Sequence, residues 1–134
     1  RTAALAATLT VAATLVAGTA SAGPREDLLA RYAAAVPAYA GFSAARGKTL
    51  HHQAFAGGKA DTPACTSCHG QDPRAGGRTP TGKAIEAMAV SATPARYGDP
   101  VKVEKWFKRN CNEVLGRACS AQEKGDWLTY MIGQ

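Results

Sequence analysis

Residues 65–69 read Cys65-Thr66-Ser67-Cys68-His69. Two cysteines separated by two residues and followed at once by histidine form the attachment signature of c-type haem. Each thiol adds across one porphyrin vinyl group, and the adjacent imidazole is delivered beneath the iron as its proximal ligand. The spacing has a mechanical reason, because one helical turn then holds both sulfurs at the separation of the vinyls. C-x-x-C alone also serves thioredoxin-like redox sites and zinc sites. Zinc would need two further ligands at matching spacing, and the other histidines, His51 and His52, lie upstream in an expected helix. A thioredoxin fold would need a β-α-β frame, which the pattern lacks. The motif therefore predicts one covalent haem c, with Cys65 and Cys68 as attachment points and His69 as axial ligand.

Covalent haem attachment raises the question of compartment, and residues 1–22 address it. They are dominated by Ala, Leu, Val and Thr, carry Arg1 as their charged residue, and end in Ala20-Ser21-Ala22, a small-x-small cleavage site. The apolar run from Leu9 to Ala17 is too short and too rich in Ala and Thr for a stable membrane anchor. The segment reads as a secretory signal peptide, truncated at its start and cut before Gly23, and it places the mature chain in the periplasm. Residues 23–134 then form one domain, too short for a second core and excluding a multidomain enzyme, a transporter or a dinucleotide-binding fold. With 2 Trp, 4 Tyr and 3 Phe against 14 Gly, the chain is poor in material for a packed interior. The porphyrin is expected to supply the missing core.

The remaining pattern is helical. Pro24 opens a helix over Pro24 to Val36, with Leu28, Leu29, Tyr32 and Val36 at helical spacing and Pro37 ending it, within an N-terminal helical extension over 24–41. Ser43 caps a second helix running through Gly47 and Leu50 to about Phe55. Residues 70–82 are loop by composition, and a short helix is expected over Lys83 to Ala89. Asp99-Pro100 supplies an N-cap and a proline at the first helical position. Val103, Trp106, Phe107 and Asn110 then share one face, and Lys102, Lys105, Arg109 and Asn112 share another that should meet water. The first face is apolar except for Asn110, whose amide would point inward. Ser120-Ala121-Gln122-Glu123 is a capping box opening a last helix with Trp127, Leu128 and Met131 as its buried stripe. No strand pattern stands out, so the expected class is all-α.

The iron's distal ligand decides the chemistry. A methionine thioether would give an ordinary six-coordinate electron carrier, with Met88 and Met131 as candidates. His51 or His52 would give a bis-histidine site, though both read more plainly as partly exposed surface histidines. Asn110 is the third kind of candidate, against its ordinary role of capping a helix end.

Cys65 to His69, followed by Thr81-Gly82-Lys83, Ser91-Ala92-Thr93-Pro94, Val103-Glu104-Lys105-Trp106 and Arg109-Asn110-Cys111-Asn112, resembles the sphaeroides haem protein family of class I cytochromes c. The resemblance runs from about Gly47 to the C-terminus. It implies a small class I cytochrome c-like fold and a high-spin haem whose distal position is held by the asparagine just before the first of two disulfide cysteines. Those residues are Asn110, Cys111 and Cys119, with Asn112 as a minor alternative. His51 departs from the pattern, standing where class I cytochromes place an aromatic four residues after the helix glycine. A neutral amide oxygen is a hard, weak-field donor that suits ferric iron better than ferrous. Reduction should therefore release it and open the site to oxygen, nitric oxide or carbon monoxide.

The whole chain carries a formal charge of +6, of which Arg1 contributes one. Lys102, Lys105, Lys108 and Arg109 concentrate positive charge on one segment, either a solvated face or a patch that orients an acidic redox partner. The resemblance implies a multihaem cytochrome c as electron donor. Nucleic acid is not expected, since no stacking platform accompanies the charge. Electron transfer with ligand binding is the leading expectation. A small terminal reductase or detoxifying enzyme acting on oxygen or nitric oxide, and a Met88-ligated carrier, are the alternatives.

Overall fold

The computed structural model describes residues 22–134. The expected signal peptide lies outside the described residues except for Ala22. Five helices and one small hairpin make up the rest: α1 Pro24–Ala35, α2 Ala44–His52, α3 Thr66–His69, β1 Gly77–Arg78, β2 Ala84–Ile85, α4 Pro100–Leu115 and α5 Ala121–Ile132.

Local chemistry sets the helix ends. Pro24 and Pro100 occupy first helical positions, where the missing N–H costs nothing. The Ser43 hydroxyl accepts from the Arg46 N–H at 3.2 Å, and the Asp99 carboxylate accepts from the Val101 and Lys102 N–H groups. At α5 the capping box is complete, with Ser120 and Glu123 satisfying each other's backbone N–H. Gly116 ends α4 in the left-handed region at φ 73°, where a side chain would be strained.

The fold is all-α in substance, with three departures from the sequence reading. Residues 83–89 are not a helix; they enter β2, which pairs antiparallel with β1 in the register Gly77–Ile85 and Arg78–Ala84. Strands of two residues are too short to show a period of two. Secondly, α2 stops at His52 rather than Phe55, and the Gln53 N–H closes it on the Thr49 carbonyl. Thirdly, α1 ends at Ala35, next to the expected stop before Pro37, but the rest of the extension to Gly41 is turns and irregular chain rather than helix.

The helix crossing that closes the fold is between α2 and α5. A Cβ on Gly47 would run into the Asp126 carbonyl and the Tyr130 Cβ, so only glycine permits this approach. Beside it, the buried Asp126 carboxylate takes four hydrogen bonds. Donors are the Ser43 N–H at 2.7 Å, Arg46 Nε at 2.7 Å and Nη2 at 2.8 Å, and Gln122 Nε2 at 2.9 Å. A carboxylate taken out of water is tolerable only with such a complete set. Leu28 and Tyr32 of α1 pack onto the same interior, with Trp127, Leu128 and Met131 of α5 as the expected buried stripe.

Candidate haem-binding cavity

Between α3, the hairpin, the 93–97 turn and the inner face of α4 lies a cavity of about 930 Å³. That is at the upper end of the roughly 300–1,000 Å³ range of ligand sites. Cys65, Cys68 and His69 stand on one wall, Met88 and Tyr97 on another, and Val103, Trp106, Phe107 and Asn110 along α4.

The attachment motif is one turn of helix, with the Cys68 and His69 N–H groups both bonded to the Cys65 carbonyl, at 3.3 and 3.0 Å. The loop returns closely on it: a Cβ at Gly77 would collide with the Cys68 carbonyl, so the glycine lets β1 lie against the motif. Cys65 and Cys68 are free thiols, and burial pushes the Cys65 thiol up to about 11. Burial, and then the Arg96 guanidinium, push the His69 imidazole down to about 4, so the ring is neutral and ligand-competent at neutral pH. Arg96 is held in place through donation to the Ala87 and Glu86 carbonyls at 3.0 and 2.6 Å.

The wall fits a haem. Among the described residues, Thr62 Oγ1 and His69 Nδ1 are the buried side-chain polar atoms without a partner, and both residues line this cavity. Two free thiols and a neutral imidazole without hydrogen bonds, on a lining that also carries Val103, Phe107 and Trp127, fit the donor set of a c-type site.

Asn110 lies half-buried on the cavity wall, and its amide makes no hydrogen bond among the described residues. Asn112 is exposed, off the cavity, and its amide donates to the Lys108 carbonyl at 2.6 Å. Directly after Asn110, Cys111 lies within disulfide distance of Cys119, with Cα atoms 5.6 Å apart. Met88 is on the wall, in irregular chain rather than the expected helix; its N–H donates to the Pro73 carbonyl at 2.9 Å. Met131 is fully buried in the core away from the cavity.

His51 corrects the reading of both histidines as partly exposed. It is fully buried, whereas His52 is half-buried at the surface. Trp127 has only an N–H to offer, so His51 Nδ1 accepts it at 3.2 Å, and Nε2–H donates to the Gly70 carbonyl at 3.3 Å. With both nitrogens engaged and the ring off the cavity wall, His51 braces the end of the attachment turn against α5. Burial pushes it down to about 4, which keeps it neutral. The position four residues after Gly47, where class I cytochromes commonly place an aromatic, was the signal for this burial. Arg96, Thr62 and Tyr97 had no such signal, since each reaches the wall through irregular chain.

Lys102, Lys105, Lys108 and Arg109 are exposed on α4, with Lys102 and Arg109 at the cavity's edge. The Arg109 guanidinium lies 5.4 Å over the Trp106 ring, a cation–π arrangement. No described helix is long and apolar enough to cross a membrane.

The family described as a domain of unknown function, DUF1924, matches residues 37–131. Cytochrome c-type protein SHP of Cereibacter sphaeroides is 48% identical over 122 residues, 90% of this chain and 93% of that protein. Cytochrome c'' of Methylophilus methylotrophus is 34% identical over 97 residues, 72% of this chain and 67% of that protein. The solved structure of oxidised SHP, an oxygen-binding cytochrome c, superposes with a TM-score of 0.79 at 46% identity, covering 85% of this chain and all of that one. Oxidised cytochrome c'' superposes with a TM-score of 0.70 at 32% identity, covering 81% and 93%.

Proposed function

The chain belongs to the DUF1924 family and to the sphaeroides haem proteins among the c-type cytochromes, and from that premise we propose an exported monohaem cytochrome that binds a diatomic gas when reduced. Haem c supplies a one-electron iron centre and a sixth coordination position. Cys65 and Cys68 would hold the group by thioether bonds, and His69 would offer a neutral imidazole to its iron. Asn110, on the same cavity wall, would supply an amide oxygen. A hard donor of that kind would suit ferric iron better than the softer ferrous ion, and once released would remain in the cavity to hydrogen-bond a diatomic ligand. A Cys111–Cys119 bridge anchors the backbone that carries Asn110, and export gives both the bridge and the haem attachment their oxidising compartment. The exposed cations of α4 at the cavity's edge suit an acidic partner, a multihaem cytochrome c, as electron donor.

The observation carrying this reading is the Asn110 amide, on the cavity wall without a hydrogen bond. Absorption spectra of the holoprotein test it. A high-spin ferrous form that takes up carbon monoxide at once is expected; a low-spin ferrous spectrum unchanged by the gas refutes it. That second outcome would favour Met88, which shares the wall, as an ordinary sixth ligand. Asn110→Ala should alter the ferric spectrum and leave the ferrous one nearly unchanged, whereas an effect confined to Asn112→Ala would identify the wrong amide.

A further inference from the structure

A file of aromatic rings runs from the cavity to the buried Tyr32, whose hydrogen-bond partner Glu104 reaches solvent. Trp127, on the cavity wall, meets Phe107 edge-on at 5.5 Å between centroids, and Phe107 meets Tyr32 edge-on at 6.3 Å. The Tyr32 hydroxyl donates to the Glu104 carboxylate, bringing α1 onto α4. Glu104 pairs with Lys124 at 2.7 Å while 42% of its side chain stays exposed, so a proton arriving there has water beside it.

Whether a phenol can give up an electron depends on the fate of its proton. Its radical cation is a very strong acid, so oxidation is accessible only where a base takes the proton in the same event. Tyr32 has that base in Glu104. Tyr97 provides a contrast within the same molecule: its ring is 5.9 Å from Trp127, but its hydroxyl donates to the Met88 backbone carbonyl at 2.7 Å, which cannot keep a proton. Phe107 has nothing to lose easily and serves as a bridge. The Lys124 ammonium lies 5.5 Å over the Tyr32 ring and 5.8 Å over the Phe107 ring, and a cation there makes electron loss from either harder. The file is therefore closed to mild ferric–ferrous exchange and responds only to a strong oxidant.

We infer that Tyr32, with Glu104 as its proton acceptor, is a redox-active terminus that draws oxidising equivalents out of the cavity when hydrogen peroxide reacts there. This rests on the haem reading above. The O–O bond of peroxide breaks with uptake of two electrons, bringing both oxygens to the oxidation level of water. With ferric haem bound, the iron would give one electron and Tyr32 the other, by way of Phe107 and Trp127, which both line the cavity. The phenolic proton passes to the Glu104 carboxylate and from there to solvent, leaving a neutral tyrosyl radical buried beneath α1, away from the porphyrin. Ferrous haem oxidised by oxygen would release superoxide, two of which dismutate with two protons to peroxide and oxygen, so such an outlet would protect a gas-binding site.

The test uses ferric holoprotein mixed with hydrogen peroxide and freeze-quenched for electron paramagnetic resonance. A neutral tyrosyl signal is expected in the wild type, lost in Tyr32→Phe and retained in Tyr97→Phe. Glu104→Gln, which leaves the phenol in place, should cut the radical yield to less than half. Loss of haem absorbance per equivalent of peroxide should run faster in Tyr32→Phe and Glu104→Gln. A signal unchanged in Tyr32→Phe, or a wild type that bleaches without any protein radical, overturns the inference while leaving the gas-binding function standing. A pyridine haemochrome assay on each sample measures haem c, and its absence from the wild type would overturn the proposed function itself.

Discussion

Replacing Asp126 by Ala removes the acceptor that ties the start of α2 to α5. Arg46 contributes two of the four hydrogen bonds, but its side chain is 56% exposed against 5% for Asp126, and after the substitution it simply returns to water. That share of the loss belongs at the top of the surface-pair range, about 1 kcal/mol. The Ser43 N–H and the Gln122 amide are less free to find water, and an orphaned donor together with a lost charge-assisted bond costs about 2 kcal/mol more. The expected loss is thus about 3 kcal/mol for Asp126→Ala and about 1 kcal/mol for Arg46→Ala. For a domain slightly above 100 residues these correspond to drops in Tm of about 12 °C and 4 °C. Thermal unfolding of the holoprotein, followed by far-ultraviolet circular dichroism and by haem absorbance, reads both, and the double variant gives the coupling between them. Equal losses for the two single variants would refute this division, because the ion pair would then outweigh the buried donors. A negligible loss in Asp126→Ala would refute the role of the carboxylate altogether.

Cys111→Ser with Cys119→Ser should lower stability by about 2.5 kcal/mol, the loop entropy for a separation of 8 residues, in equilibrium denaturation; no change would mean that the thiols are unpaired. Cys65→Ala with Cys68→Ala, which denies the haem its attachment, should leave a chain without cooperative thermal unfolding, because the roughly 930 Å³ cavity then has no covalently held core. A pH series tests the Arg117–Glu123 pair, in which the Arg117 hydrogen bond holds the Glu123 carboxyl below its usual range. A lowered folded value means stabilisation present above the unfolded carboxyl value of about 4.3 and lost as pH falls through the folded one. Wild type should therefore exceed Arg117→Gln by less than about 1 kcal/mol at neutral pH, and the gap should close in acid.

The parts of the fold governed by adjacent residues were legible. Ser43, Asp99 and Ser120 each fix a helix start through groups two or three positions away, Pro24 and Pro100 act through their own missing N–H, and the structure has all four starts. The single helical turn that carries Cys65, Cys68 and His69 was legible for the same reason. What escaped depends on distant partners: the hairpin, whose two-residue strands are shaped by Gly77 lying against Cys68, and the buried His51, held between Trp127 and Gly70. Asn110 falls between the two cases, since helical periodicity turned it inward but only the assembled cavity supplies something for it to face.

The Arg46–Asp126 contact joins positions 80 residues apart, and closing a loop of that length costs about 4 kcal/mol of chain entropy before any contact repays it. Residues 65–69 lie between those two ends. Haem fixed there would gather chain from both directions around one rigid plate, turning a single long closure into shorter ones. Attachment is then expected to precede docking of α2 on α5, so that a chain that meets its haem late should fold slowly.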